Sequence, residues 1–185
     1  DKVVTVSRAK NTLSFPASFM LIASMNPCPC GNYGSDKECT CNPYQVKRYR
    51  SKISGPLMDR IDIQVEVPAL KIDEITSTQT VTNETSQQIK ERVIKARNIQ
   101  YERFKGKNIY CNAQMGPEEI KKYCVLEVIA GLMLYNAIEK LGFSARAYDR
   151  ILKVARTIAD LAGSEIIQQT HIAEAIKYRN LDKYN

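Results

Sequence analysis

The spacing of apolar residues changes near residues 70–82, and this change constrains the fold more than any other feature of the sequence. Before it, short alternating or continuous apolar runs are separated by proline and glycine, a pattern typical of strands and loops. After it, apolar residues recur at helical spacing. We therefore predict one unit over residues 1–70, a polar linker over 71–84 and an all-helical unit over 85–185, so that the chain is mainly helical overall.

The first unit carries the patterns of a β-hairpin and two further strands. Alternation and β-branched residues indicate hairpin strands over Val3–Ser7 and Thr12–Phe15, joined by a polar turn. The continuous apolar run Ser18–Met25 is typical of a strand that is buried on both faces, as in a parallel sheet. In Ile61–Val67 every second residue is apolar, which predicts a strand with one buried face. These patterns together indicate part of an α/β fold.

Capping residues mark the ends of the predicted helices. Thr85 and Gln88 form a capping-box pattern that predicts a helix to about Lys105. Gly142 is typical of the position after a helix end, and Ser144 is a typical cap of the next helix. The predicted helices cover residues 43–54, 85–105, 115–122, 126–141 and 144–163, with a last one capped by Thr170.

The composition is that of a globular protein, because 44% of the 185 residues are apolar. No apolar run reaches the roughly 18 residues needed to span a bilayer, and the N-terminus DKVVTVSRAK lacks a signal-peptide core. We therefore expect a cytoplasmic protein in a reducing compartment, with no membrane partner. The net charge of +7 suits either a polyanionic partner such as nucleic acid or a merely solvated basic surface, and charge alone favours neither.

Four of the six cysteines lie close together in the stretch SMNPCPCGNYGSDKECTC. A tetrahedral zinc site needs four thiolates, which are offered by Cys28, Cys30, Cys39 and Cys41. A loop with so few apolar residues needs a metal ion or a cross-link to stay folded. The C-x-C spacing is tighter than the usual separation of roughly two to four residues. Structural zinc is therefore the leading interpretation, while paired disulfides and reduced thiols stay open as alternatives.

Three polar residues each allow two interpretations, a role in contacting phosphate or an ordinary structural role. Asn26 follows a predicted buried strand, at the edge where α/β sheets bind ligands, but Asn-Pro also starts turns. Arg60 precedes a predicted strand, and its guanidinium can reach a phosphate or pair with Asp59 or Asp62. Arg146 lies in a first helical turn, where a cation opposes the helix dipole, or else belongs to a solvated basic face.

The motifs FMLIASMNPCPCG, SGPLMDRIDI and SARAYDRILKVARTIADLAG, in this order, closely resemble the Mg-chelatase-like AAA+ ATPases of bacteria, the ComM/YifB type. The resemblance covers nearly the whole chain. It implies an α/β fragment of an AAA+ core, with the hairpin and two strands, followed by an all-α lid. It also implies ATP and Mg²⁺ as cofactors, a ring oligomer that we expect to be a hexamer, and, for the competence members, work on DNA.

The same resemblance implies a role for individual residues. Asn26 matches the sensor-1 asparagine, which orients the attacking water near the γ-phosphate. Arg60 matches the arginine finger, which acts on ATP bound to the neighbouring subunit, and Arg146 matches the sensor-2 arginine of the lid. The hairpin matches the pre-sensor-1 hairpin, so Arg8 and Lys10 near its tip are candidates for contacting DNA phosphates, with simple turn solubility as an equal alternative.

Two parts of an ATPase site are missing from the sequence. It contains no G-x-x-x-x-G-K-[ST] phosphate loop and no acidic pair at the end of an apolar strand to hold Mg²⁺. We therefore expect the C-terminal part of an ATPase module, inactive on its own. Without the central strand of the family, Met20–Met25 and Ile61–Val67 would keep open edges, which we expect to rearrange locally or to pair in a dimer.

The alternative function is a stand-alone nucleic-acid-binding module that is held together by zinc and uses the basic run Lys47–Lys52.

Overall fold

The computed structural model describes residues 3–8, 11–68 and 84–179. The chain divides into two compact units, Asp1–Cys41 and Asn42–Asn185. The predicted linker, residues 71–84, lies outside the described residues except for Glu84. The predicted boundary between a core fragment and a helical lid therefore stays a prediction.

The first unit contains the predicted hairpin, formed by β1 (Val3–Arg8) and β2 (Asn11–Pro16). The strands are antiparallel, with Val3 opposite Pro16 and Arg8 opposite Asn11. Hydroxyl pairs line one face, where the Thr5 and Ser14 oxygens and the Ser7 and Thr12 oxygens are each 3.1 Å apart. Since side chains alternate across a strand, the opposite face is apolar and exposed, and consists of Val4, Val6, Leu13 and Phe15.

The two further strands that the sequence predicted are not formed, and this part of the predicted fold class is wrong. Residues 18–25 and 61–67 contain no strand, and Phe19 and Ile22 are 77% and 82% exposed. A strand requires hydrogen bonds to a neighbouring strand, and within the described residues the hairpin is the only sheet. In the second run the alternation is also inverted, because polar Gln64 is buried while Ile63 and Val65 are exposed.

The second unit consists mainly of helices, which confirms the prediction that the chain is mainly helical. Over the described residues they are α1 (Pro43–Arg50), α2 (Gly55–Met58), α3 (Ser86–Arg103), a 3-10 turn (Asn112–Gln114), α4 (Pro117–Tyr123), α5 (Val128–Leu141), α6 (Ala145–Leu161) and α7 (Gln169–Lys177). None of them combines the length and the apolarity that crossing a bilayer requires.

Three of the four predicted capping signals mark helix ends in the structure. Thr85 and Gln88 form the predicted capping box at the start of α3, and the Ser144 hydroxyl accepts the Ala147 N–H at the start of α6. Gly142 ends α5 with a φ of +67°, a left-handed conformation that favours glycine. The last helix differs from the prediction, because its cap is Gln168 instead of Thr170.

The hydrophobic core lies around α6, which contacts α3, α4, α7 and the 3-10 turn. Its buried residues Ala147, Ile151, Ala155 and Ala159 recur every four residues, so one face of the helix is apolar. The core is completed by Phe104, Met115, Ile120, Cys124, Ala130, Leu134, Leu152, Ile167, Ile172 and Ala175. The Phe104 and Tyr123 rings meet edge to face, with centroids 5.6 Å apart.

A charged cluster is buried beside this core. Asp160 accepts hydrogen bonds from Nη1 and Nη2 of Arg103, at 2.7 and 2.5 Å, and from Nε of Arg156 at 3.1 Å. Arg156 also donates to the Ser164 and Glu165 carbonyls, in the turn between α6 and α7. Because buried charges are tolerated only when they are paired and hydrogen-bonded, this cluster fixes how α3, α6 and the following turn meet.

Candidate functional site

The four clustered cysteines converge on one point in the first unit. The Sγ atoms of Cys28, Cys30, Cys39 and Cys41 all lie within 4.8 Å of one another. Cys28 Sγ lies 3.3 Å from Cys30 and 3.8 Å from Cys39, and Cys30 and Cys39 are 3.6 Å apart. A tetrahedral zinc ion with Zn–S bonds of about 2.3 Å holds its sulfur atoms about 3.8 Å apart. The cluster therefore has the donor set and the dimensions of a zinc site.

Two glycines allow the loop to bring the cysteine pairs together. Gly31 and Gly34 have φ values of +82° and +79°, which other residues adopt only with strain. The Gly31 N–H donates to the Cys28 carbonyl at 3.0 Å, and the Asn32 side chain donates to the Glu38 carbonyl at 3.3 Å. These bonds turn the chain back so that the second C-x-C pair meets the first.

Thiol protonation in the cluster is uneven. Hydrogen bonds from the Asn32 N–H and from the Cys28 side chain lower the pKa of Cys30 to about 5. At Cys41 a backbone hydrogen bond from Cys30 favours the thiolate, but burial and side-chain hydrogen bonds with Cys30 and Cys28 outweigh it and raise the pKa to about 11. Four thiolates at this spacing repel one another, so full deprotonation requires a bound cation. All six cysteines of the chain have free thiols, so the structure contains none of the paired disulfides that were the alternative to zinc.

Asn26 lies next to this loop. It is exposed, and its Nδ2 atom lies 4.0 Å from the point where a Cβ on Gly31 would sit. The sequence predicted Asn26 at the end of a buried strand, but residues 18–25 are exposed and form no strand. The structure therefore places Asn26 beside the cysteine loop, in a segment that has no strand partner among the described residues.

Arg60 and Arg146 both belong to the second unit and are both exposed. Arg60 follows the short helix α2, and its Nη1 donates to the Pro56 carbonyl at 2.8 Å. Arg146 is the second residue of α6, and no ion pair or hydrogen bond engages its side chain within the described ranges. Neither guanidinium is committed to a carboxylate there.

Side chains that flank Arg60 are bonded to the helices around Arg146. The Ser144 hydroxyl donates to Asp59 Oδ2 at 3.2 Å, and Arg150 forms an ion pair with Asp62. Arg179 donates to the Ile61 carbonyl at 3.1 Å and pairs with Asp59 Oδ1 at 3.4 Å. The alternative interpretation of Arg60, an ion pair with Asp59 or Asp62, is therefore wrong, because these carboxylates pair with other arginines.

Arg179 could not be identified from the sequence as a partner of Asp59, and Asp59 and Asp62 were considered only as ion-pair partners of Arg60. Arg179 is only 1% exposed, although arginine is rarely fully buried. It lies near the end of the chain, well over a hundred residues from Asp59, so no local spacing indicates the contact. The one available signal was the charged sequence DRID, in which two acidic residues flank a single arginine.

The candidate nucleic-acid contacts are only partly described. Arg8 is the last residue of β1 and is exposed, next to the hairpin tip. Lys10 lies outside the described residues. On α1, Lys47 and Arg48 are exposed, and no acidic residue lies in the first turn of that helix.

Comparison with known proteins gives two matches to family models. The model of magnesium chelatase, subunit ChlI, matches residues 1–75, and the model of the C-terminal part of the same subunit matches residues 83–179. The two matches together span most of both compact units.

Individual relatives match nearly the whole chain. Competence protein ComM of Haemophilus influenzae is 45% identical over 176 residues, which is 95% of this chain and 33% of that protein. The uncharacterized protein YifB of Escherichia coli K12 is 41% identical over 181 residues, 97% of this chain and 34% of that protein. The chain therefore spans about a third of the length of the curated relatives it matches.

Proposed function

Since the chain belongs to the Mg-chelatase-like family of magnesium chelatase subunit ChlI, we propose that it is the C-terminal part of the ATPase module of an AAA+ ring motor. In this proposal Asn26 is sensor 1, Arg60 is the arginine finger and Arg146 is the sensor-2 arginine. The chain supplies these residues to ATP sites whose phosphate loop and Mg²⁺ ligands lie elsewhere in a longer protein.

One observation carries this proposal: Arg60 and Arg146 present exposed guanidinium groups, while the carboxylates next to Arg60 are already paired with other residues. Arg103, Arg156 and Arg179, by contrast, each form an ion pair with a carboxylate. A guanidinium fork that is not paired with a carboxylate is suited to phosphoryl oxygens and to the charge that develops during transfer.

The cysteine cluster has a structural role in this proposal. We propose that Cys28, Cys30, Cys39 and Cys41 hold Zn²⁺, because their spacing fits a tetrahedral tetrathiolate site. Within the described residues it is the one group of three or more side chains that can ligate a metal. When bound, zinc would supply folding energy to the loop, and the loop would fix the path of the chain directly after Asn26.

Assembly and substrate are proposed from the relatives. The family resemblance implies a ring, expected to be a hexamer, with ATP and Mg²⁺ between subunits. One relative is a competence protein by name, so we propose DNA as the substrate of the full-length motor, with Arg8 and Lys10 on the hairpin as phosphate contacts.

ATP turnover by the full-length protein that carries this chain tests the proposal. Arg60→Ala should lower kcat by roughly 10³-fold, as loss of an arginine finger does elsewhere. Asn26→Ala and Arg146→Ala should also lower kcat, while the matched control Arg97→Ala, on the exposed face of α3, should leave it unchanged. Full turnover by Arg60→Ala would refute the proposed roles.

A second function is favoured by the exposed cations of α1. Lys47 and Arg48 lie on a helix next to the cysteine loop in sequence, so the isolated chain could bind nucleic acid as a zinc-stapled module. In that case a duplex oligonucleotide binds the chain without ATP, and affinity falls steeply as salt rises. Binding that needs the ATP-loaded full-length protein favours the motor instead.

A further inference from the structure

Arg179 contacts the residues on both sides of Arg60. Its Nη1 donates to the Ile61 carbonyl at 3.1 Å, and its Nη2 lies 3.4 Å from the Asp59 carboxylate. The guanidinium is 1% exposed and lies over the Phe143 ring, 6.0 Å from its centroid. A buried cation held between an aromatic ring, a carbonyl and a carboxylate has little freedom to move.

The same carboxylate reaches the start of the helix that carries Arg146. Asp59 Oδ2 accepts the Ser144 hydroxyl at 3.2 Å, and Ser144 caps α6 two residues before Arg146. One turn further along α6, Arg150 pairs with Asp62. The chain after Arg60 is also tied to the end of α7, because the Gln64 N–H donates to the Tyr178 carbonyl at 2.8 Å.

From these contacts we infer that Arg179 and Asp59 are positioning residues that hold Arg60 and Arg146 in one rigid arrangement, so that both arginines reach ATP phosphates together. The inference rests on the proposed function. It adds that the segment around Arg60 is attached to the helices that follow it by the side chains of Arg179, Asp59 and Asp62 and by the backbone hydrogen bond from Gln64 to Tyr178. A lid movement would then carry the finger with it.

The first test is kinetic and uses the full-length protein. Arg179→Lys keeps the charge but cannot bridge Asp59 and the Ile61 carbonyl at once. It should lower kcat by roughly 10²-fold, the effect of misplacing a catalytic group, with KM nearly unchanged. The combined loss in the double variant Arg60→Ala/Arg179→Lys should be much smaller than the product of the two single losses, since Arg179 acts only through the placement of Arg60 and Arg146. The control Arg92→Lys, in an exposed pair with Glu84, should have no effect.

Asp59→Asn provides a second variant in case Arg179→Lys lowers the melting temperature strongly. Asparagine has nearly the same shape as aspartate but carries no charge. The variant should reproduce both the loss of kcat and the lack of additivity with Arg60→Ala. A merely structural role predicts independent effects, so additive losses in the double variant would overturn the inference. Full turnover by both positioning variants would overturn it too, provided that Arg60→Ala is slow. If Arg60→Ala itself turns over normally, the proposed function fails instead.

A readout without ATP uses the chain itself. Hydrogen exchange of the Gln64 amide, which bonds to Tyr178, should be slow in the wild type and at least tenfold faster in Arg179→Lys. Amides of α3 should be unchanged in the same sample. Unaltered exchange at Gln64 would show that Arg179 does not hold this segment and would overturn the inference.

Discussion

Arg103 and Asp160 form a two-point ion pair between α3 and α6, with nitrogen–oxygen distances of 2.7 and 2.5 Å. The Asp160 side chain is fully buried, and Arg156 and Asn112 donate to the same carboxylate. Three residues donate four hydrogen bonds to one buried anion, so this carboxylate joins α3, α6 and the 3-10 turn of the helical unit.

Asp160→Asn should therefore destabilise the chain strongly. Removing the anion leaves two arginines close together without their shared partner, and breaking a buried pair in this way costs about 3–5 kcal/mol. Urea unfolding followed by circular dichroism measures the loss. Glu84→Gln, which breaks an exposed pair with Arg92, is the control and should cost about 0–1 kcal/mol. Equal small effects of both substitutions would contradict the assigned role of Asp160.

Stability should fall below neutral pH because of His171. Burial, and then the charge of Arg156, lower the pKa of His171 from its ordinary value, and its Nδ1 accepts the Gln168 N–H at 3.1 Å. The unfolded chain therefore binds a proton more readily, so the contribution of His171 is complete above about pH 6.5 and is lost as pH falls through the lowered value. Unfolding free energies at about pH 7.5 and 5.5 measure this loss.

The variant His171→Gln is the matched control for that pH dependence. Glutamine at this position can still accept the Gln168 N–H, as in a capping box, but it does not titrate. The difference between the two pH values should shrink in this variant. If the variant keeps the full difference, another group is responsible and the assignment to His171 is wrong.

Removal of the metal should release four thiols. The purified chain, prepared without chelator, should contain about one zinc ion per chain. Chelation should expose Cys28, Cys30, Cys39 and Cys41 to a thiol reagent, while Cys124 stays slow to react because burial raises its pKa to about 11. Four freely reactive cluster thiols without any metal would contradict the zinc proposal.

Arg146→Ala should separate function from stability. A cation in the first turn of α6 opposes the helix dipole, and its side chain has no partner among the described residues. The substitution should therefore leave the unfolding free energy of the chain unchanged or raise it by about 0.3–1 kcal/mol. The same change should lower ATP turnover in the full-length protein. A loss of stability would indicate a structural role for Arg146 instead.

Local signals in the sequence were sufficient to predict the helices and the hairpin. Thr85 and Gln88, Ser144 and Gly142 act through backbone groups a few residues away, so their spacing predicts their structure. The four cysteines also converge as the sequence indicated. In each case the interacting groups lie close together along the chain.

Long-range partners could not be predicted in the same way. The apolar runs Met20–Met25 and Ile61–Val67 have the composition of strands, but a strand also needs a neighbour, and the described residues provide none. The contact of Arg179 with Asp59 depends on how α7 packs, which no local spacing encodes. Composition therefore indicated which segments can form strands, and packing decided that they do not pair here.

The proposed roles of Asn26 and Arg60 are tested most directly by mixing two inactive forms of the full-length protein. Asn26→Ala subunits lack the water-orienting group of their own ATP site, and Arg60→Ala subunits lack the finger offered to a neighbour. In a mixed ring, an interface between an Arg60→Ala site and an Asn26→Ala neighbour contains both groups intact. ATP turnover should therefore reappear on mixing, and an absence of turnover in verified mixed rings would contradict the account.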